Sequence, residues 1–107
     1  MTELPALTRV LAELDIELDE RARRQLLGLR NLLLEANQRT NLTAISDPAG
    51  VEIKLVADAL ALLPLIDAER LRDGREAISL VDIGAGAGFP GLPIAIADSR
   101  IDGTMVE

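Results

Sequence analysis

The sequence predicts an α/β fold in which N-terminal helices lead into one strand-helix-strand unit. Three observations carry that prediction. From Leu4 to Leu63, apolar residues recur at helical spacing. Leu80 to Gly91 joins a short apolar run to a cluster of glycines and a proline. Leu92 to Ala97 is then almost wholly apolar, and Thr104-Met105-Val106 supplies a second strand signal. Right-handed crossover topology places two such strands side by side in parallel, with their carboxyl ends at one edge.

At 107 residues, 49% of them hydrophobic, the chain has material for one packed core. It contains neither Cys nor His, so thiolate and imidazole ligands are absent and no metal chemistry is expected. No basic region followed by an apolar signal core opens the sequence, and no uncharged stretch suits a bilayer span, which predicts a cytoplasmic location. A formal charge of −7 opposes unspecific attraction to nucleic acid. Phe89 is the single aromatic residue, so base-stacking platforms are nearly missing and any RNA contact is expected to be local.

Leu4, Leu7, Val10, Leu11 and Leu14, with Pro5 near the start, predict a first helix over roughly residues 1–14. Asp15 to Leu18 connects it to a second helix, capped by Asp19 and running to about Ala36. Its buried stripe is expected to be Ala22, Leu26, Leu29, Leu33 and Ala36, widened by Leu27 and Leu34. Arg21, Arg23, Arg24, Arg30 and Arg39 form a basic cluster after an acidic run. They read as a solvated helix face, with a phosphate-contact patch as the functional alternative.

Asn37 to Asp47 is polar and turn-rich, and Asp47-Pro48 supplies an N-cap and a first-turn proline for a third helix that ends near Pro64. Val51, Leu55, Leu62 and Leu63 are placed on its buried side. Asp67 to Glu76 then reads as a surface connection. Residues 1–46 thus form a helical lead-in, and residues 47–107 hold the third helix and the start of a ligand-binding domain. Ser79, Leu80, Val81 and Ile83 suit a buried strand, Pro90 opens the next helix at its first position, and Asp98 to Gly103 is a turn.

Two ligand readings compete at the glycine loop, besides a plain structural turn. Gly86-Ala87-Gly88-Phe89-Pro90-Gly91 satisfies the dinucleotide-binding pattern, with Glu107 at about the expected 20-residue distance. That reading leaves Gly84 and Asp82 without a job. The longer pattern Asp82-x-Gly84-x-Gly86-x-Gly88 resembles motif I of class I S-adenosylmethionine-dependent methyltransferases, and Glu107 matches their acidic residue at the end of strand two. A carboxylate there can accept both hydroxyls of an adenosine ribose, and an acidic setting suits a sulfonium cation.

Several stretches together resemble one family, the RsmG (glucose-inhibited division protein B) methyltransferases. Asn37, Asn41-Leu42-Thr43-Ala44-Ile45 and Asp47-Pro48 resemble its signature after the N-terminal helices. Asp58 with Leu60 to Pro64 resembles its next helix, and Val81 to Pro93 its extended glycine loop with Phe-Pro-Gly. Lys54-Leu55 and Ala59 depart from the family's Arg-His and Ser.

The resemblance implies methylation of guanine N7 in small-subunit (16S) ribosomal RNA on a truncated class I, Rossmann-like fold, with S-adenosyl-L-methionine as cofactor and ribosomal RNA as partner. Gly84, Gly86, Gly88 and Phe89 would line the methionine end of the cofactor, Glu107 would meet its ribose, and Asp82 belongs to the same site. Arg39, Asn41 and Lys54 are the implied RNA contacts. Because the family continues beyond strand two, the isolated chain is expected to be incomplete for catalysis. Two alternatives stand beside this reading: a non-enzymatic helical interaction module and a dinucleotide-binding Rossmann fragment.

Overall fold

The computed structural model describes residues 3–74, 76–83 and 88–106. Helix α1 spans Pro5–Glu13, with proline in the first turn where a missing N–H removes no helical bond. Its Leu4, Leu7 and Leu11 enter the core, whereas Leu14 stays exposed. Helix α2 spans Glu20–Thr40 and is capped as expected: the Asp19 side chain accepts the N–H of Ala22 at 2.7 Å. It packs on the last helix of the chain, and its contact with α1 is made chiefly by side chains.

Two features of α2 differ from the sequence prediction. It continues past Ala36 to Thr40 and ends on Asn41, whose φ of 48° is left-handed. Asn37 therefore lies inside the helix, where its Oδ1 accepts the N–H of Thr43 at 2.8 Å and folds the following segment back. The buried stripe is Ala22, Leu26, Arg30, Leu33 and Asn37, with Leu29 and Ala36 only half-buried. Both positions are one residue along from the predicted apolar ones, and the polar groups are tolerated because each has hydrogen-bond partners.

After Asp47 caps it, one continuous helix runs through three consecutive segments: α3 (Pro48–Gly50), a π-helical stretch (Val51–Ala57) and α4 (Asp58–Leu60). Asp47 Oδ2 accepts the N–H of Gly50 at 2.9 Å. A Cβ on Gly50 would fall 2.6 Å from Asp47 Oδ1 and 2.8 Å from Ile45 Cγ2, so the approach of this cap requires glycine. Val51, Val56, Ala57, Ala59 and Leu60 are buried, but Leu55 is half-buried and Leu62 exposed. α1 packs chiefly on the π-helical stretch.

The predicted third helix stops at Leu60 rather than near Pro64. Pro64 does not terminate it; it lies in the first turn of a new helix, α5 (Leu63–Asp73), over most of what the sequence suggested was a surface connection. Charge patterning explains the difference. Asp67–Arg70 and Glu69–Arg72 pair at i,i+3, and Gly74 in the left-handed region at φ 67° closes the helix.

Strand β1 (Ile78–Ile83) pairs in parallel with β2 (Ile101–Val106), in register from Ile78 opposite Ile101 to Ile83 opposite Val106. Helix α6 (Gly91–Ala97) connects them. The second strand begins at Ile101, inside the stretch predicted as a turn. Alternation puts Ile78, Leu80, Asp82, Ile101, Gly103 and Met105 on the face that meets α6. On the other face Val81 is 58% and Ile83 82% exposed. The expectation of a buried strand is therefore not met: Ser79, Val81 and Ile83 are exposed and Leu80 is only half-buried, because α6 covers one side of a sheet that parallel strands normally bury on both.

One apolar core joins these elements, drawing Leu7, Leu11, Leu26, Val56, Leu60, Ile94 and Ile101 together. No helix among the described residues is long and apolar enough to cross a membrane.

Candidate functional site

The carboxyl end of β1 and the amino end of α6 meet at a single point. Asp82, next to last in β1, accepts the backbone N–H of Gly91 on Oδ2 at 2.8 Å. Gly91 is buried, and a Cβ there would lie 2.9 Å from both Cβ and Oδ2 of Asp82 and 3.1 Å from Cε of Met105. Met105 is the register partner of Asp82 on β2. Strand end, helix start and neighbouring strand therefore close together only because position 91 has no side chain.

Gly88 has φ 98°, a conformation that an L side chain rarely adopts, and its carbonyl accepts the N–H of Leu92 at 2.8 Å. Phe89 is half-buried and packs against the hydrophobic core, and its peptide bond to Pro90 is cis. Pro90 stands at the N-cap, one position before the first-turn place predicted for it. Gly84, Gly86 and Glu107 lie outside the described residues.

The three residues read as RNA contacts are all exposed. Arg39, in the last turn of α2, lies with Nη1 3.6 Å from Glu35 Oε1. Asn41 is the left-handed C-cap of α2, and its N–H donates to the Asn37 carbonyl at 3.2 Å. Lys54 lies on the π-helical stretch. Among the described residues no hydrogen bond or ion pair joins these three to each other or to the β1–α6 turn.

Arg30 leaves the predicted basic cluster altogether. It is neither a solvated face nor a phosphate contact, since its Nη1 lies 2.8 Å from Glu52 Oε2 and both side chains are 1% exposed. The same nitrogen donates to the Glu3 carbonyl at 2.8 Å, and Nε and Nη2 donate to Asn31 Oδ1. Glu52 Oε1 accepts the N–H of Leu7 at 3.0 Å, in the first turn of α1. Glu52 was not singled out in the sequence. The available signal was Arg30, which falls between Leu26 and Leu33 on an otherwise apolar stripe.

A second charged group lies in the connection from α6 to β2. Asp98 is engaged by Arg100 through Nε at 2.9 Å, Nη2 at 2.8 Å and the backbone N–H at 3.0 Å. The Arg100 side-chain hydrogen bonds hold the Asp98 carboxyl below its ordinary value, against the opposing effect of partial burial. A carboxylate with a lowered folded-state value adds stability above its unfolded value, and that contribution disappears as pH falls through the folded value. Urea unfolding is therefore expected to show a part of the acid sensitivity below about pH 4 that is missing from Asp98→Asn, on the order of 0.5 kcal/mol for a partly exposed pair. Superimposable pH profiles for the two proteins would exclude it.

A family model described as GidB, rRNA small subunit methyltransferase G, matches residues 22–107. Among curated relatives, the chain is similar to "Ribosomal RNA small subunit methyltransferase G" of Sorangium cellulosum, 43% identical over 97 residues, covering 91% of this chain and 38% of the relative. The protein of the same name from an Anaeromyxobacter species is 40% identical over 102 residues, 95% of this chain and 44% of the relative. The Vibrio vulnificus protein of that name is 36% identical over 90 residues, 84% of this chain and 38% of the relative. The chain thus spans less than half the length of these relatives. With most of its residues matched by the family model, the chain belongs to the GidB family of rRNA small subunit methyltransferases.

Proposed function

We propose that this chain carries the helical lead-in, residues 1–46, and the first part of the methyl-donor site of an enzyme that methylates guanine N7 in 16S ribosomal RNA. S-adenosyl-L-methionine is the donor, and the cytoplasm is the place of action. The observation that carries this reading is the β1–α6 turn. Gly88 in a left-handed conformation and Asp82 bound to the Gly91 amide frame a strand-to-helix turn in which positions 88 and 91 carry no side chain. Such a turn fits a ligand that lies against main chain rather than against side chains.

When bound, the donor supplies an electrophilic methyl group on a sulfonium. Guanine N7 carries a lone pair and no proton, so this chain needs no general base, in keeping with the absence of His. Its residues bind and align. In this reading Gly84, Gly86, Gly88 and Phe89 line the methionine end and Glu107 accepts the ribose hydroxyls. Asp82 supports the turn. Arg39, Asn41 and Lys54, each exposed, meet RNA phosphate and sugar.

A chimera tests the reading. This chain would replace the matching segment of the Anaeromyxobacter relative, and transfer of a labelled methyl group to small ribosomal subunits lacking the modification would be followed. Transfer by the chimera is expected, with a loss of about tenfold or more for Gly88→Val, which forces a side chain into the left-handed turn. A folded chimera that neither binds the donor nor transfers the methyl group, beside an active relative, would overturn the proposal.

A further inference from the structure

A carboxylate at the end of β1 could serve a bound cation in two ways, by its charge or by holding the backbone that the cation lies on. The hydrogen bonds of the first turn of α6 favour the second. An α-helix begins with amides that have no intrahelical acceptor. In α6 the accounting is nearly closed by composition: Pro90 and Pro93 have no N–H, and Leu92 donates to the Gly88 carbonyl at 2.8 Å. Gly91 alone is left with a free donor, it is buried, and Asp82 Oδ2 accepts from it at 2.8 Å. An unpaired buried amide is costly, so this one bond fixes where the helix starts relative to the strand.

The bond also joins the two ends of the glycine loop. Residue 82 stands before the glycines and residue 91 after them, and the backbones approach so closely that a Cβ on Gly91 would overlap Asp82. We propose that Asp82 is a positioning residue: it acts by accepting the Gly91 N–H and so setting the span of the loop, not by presenting negative charge to the bound cation. This rests on the donor-site reading above. It accounts for an acidic residue at that place by geometry, and it makes Gly91 the matching half of the device.

Asparagine separates the two roles, since its carbonyl can accept the same N–H without a charge. In the chain itself, amide hydrogen exchange at Gly91 is expected to be similar in the parent and Asp82→Asn and faster by about tenfold or more in Asp82→Ala. In the chimera, calorimetry with S-adenosylmethionine and with S-adenosylhomocysteine, which lacks the sulfonium charge, reads the consequence. Asp82→Asn should bind both within about threefold of the parent, and Asp82→Ala should lose about tenfold for both alike. Gly91→Ala leaves the carboxylate in place and should reproduce the Asp82→Ala loss, with the double substitution no worse than either single one.

A tenfold loss for Asp82→Asn, with or without selectivity for the sulfonium ligand, would overturn the positioning role in favour of direct charge. Unchanged Gly91 exchange in Asp82→Ala would overturn it as well. If the unsubstituted chimera binds neither ligand, the donor-site reading fails by itself, and the amide exchange alone decides whether Asp82 holds the turn.

Discussion

Replacing Glu52 by alanine is expected to lower the stability of the chain by about 3–5 kcal/mol, the range for removing one partner of a buried ion pair. Glu52 holds Arg30 at 2.8 Å with one oxygen and the Leu7 amide at 3.0 Å with the other, so its loss strands a buried guanidinium and an orphan donor of α1 together. For a domain whose total stability is on the order of 5–15 kcal/mol, that is a large fraction. Glu52→Gln keeps an acceptor for one of the two donors and should fall between. Arg30→Met combined with Glu52→Gln removes the charge and leaves an acceptor for Leu7, and it should lie closer to the parent than Glu52→Ala does. Urea midpoints with an unchanged slope give the order. A Glu52→Ala protein within about 0.5 kcal/mol of the parent would mean that the pair contributes nothing beyond its own desolvation.

The second large effect is expected at Leu60. It is fully buried, at 0% exposure, on α4 where that segment packs against α6. Truncation to alanine removes buried apolar surface and leaves a cavity that the surrounding helices fill only in part, for a loss of about 2–5 kcal/mol. Leu71 is the control, since it is 75% exposed on α5 and its alanine variant should change stability by no more than about 0.5 kcal/mol. Equal losses at the two positions would place the core elsewhere.

Leu60 also marks how sequence pattern and structure diverge. Both Leu60 and Leu62 lie in one apolar run, Leu60 to Leu63 with a single alanine, and the run gives no reason to divide it. The helix breaks at Ala61 and Leu62, and Leu62 becomes exposed while Leu63 begins α5. Pro64 suggested an ending because proline stops a helix from within. It is equally suited to the first turn of the next one, and only the path of the chain after Leu62 selects between the two uses.

Local chemistry was legible where a residue acts on its own neighbours. Asp19 and Asp47 cap the helices they precede, Pro5 opens α1, and the β1 and α6 segments fall within a few residues of their predicted places. The parallel pairing of β1 with β2 was legible as well, since a strand, a short helix and a strand have few other ways to pack. At the candidate site the glycine requirement of position 88 was readable from the motif. The partner of Asp82 was not, because a spacing of nine residues says nothing about which backbone amide a carboxylate reaches.

By itself, then, the sequence determined the Asp19 and Asp47 caps, the order of the helices and strands other than α5, the place of the glycine loop after β1 and the family to which that loop belongs. The tertiary structure decided which polar residues go inside. α1 has no cap of its own, for Leu4 offers no side-chain acceptor, and its first-turn amide at Leu7 is satisfied by Glu52 from 45 residues away. Arg30 looks like one more surface arginine until α1 and the π-helical stretch are brought against it. Hydrogen bonds within a turn are encoded by neighbouring residues, whereas the pairing of a buried charge depends on desolvation by elements that are distant in sequence and meet only when the chain has folded.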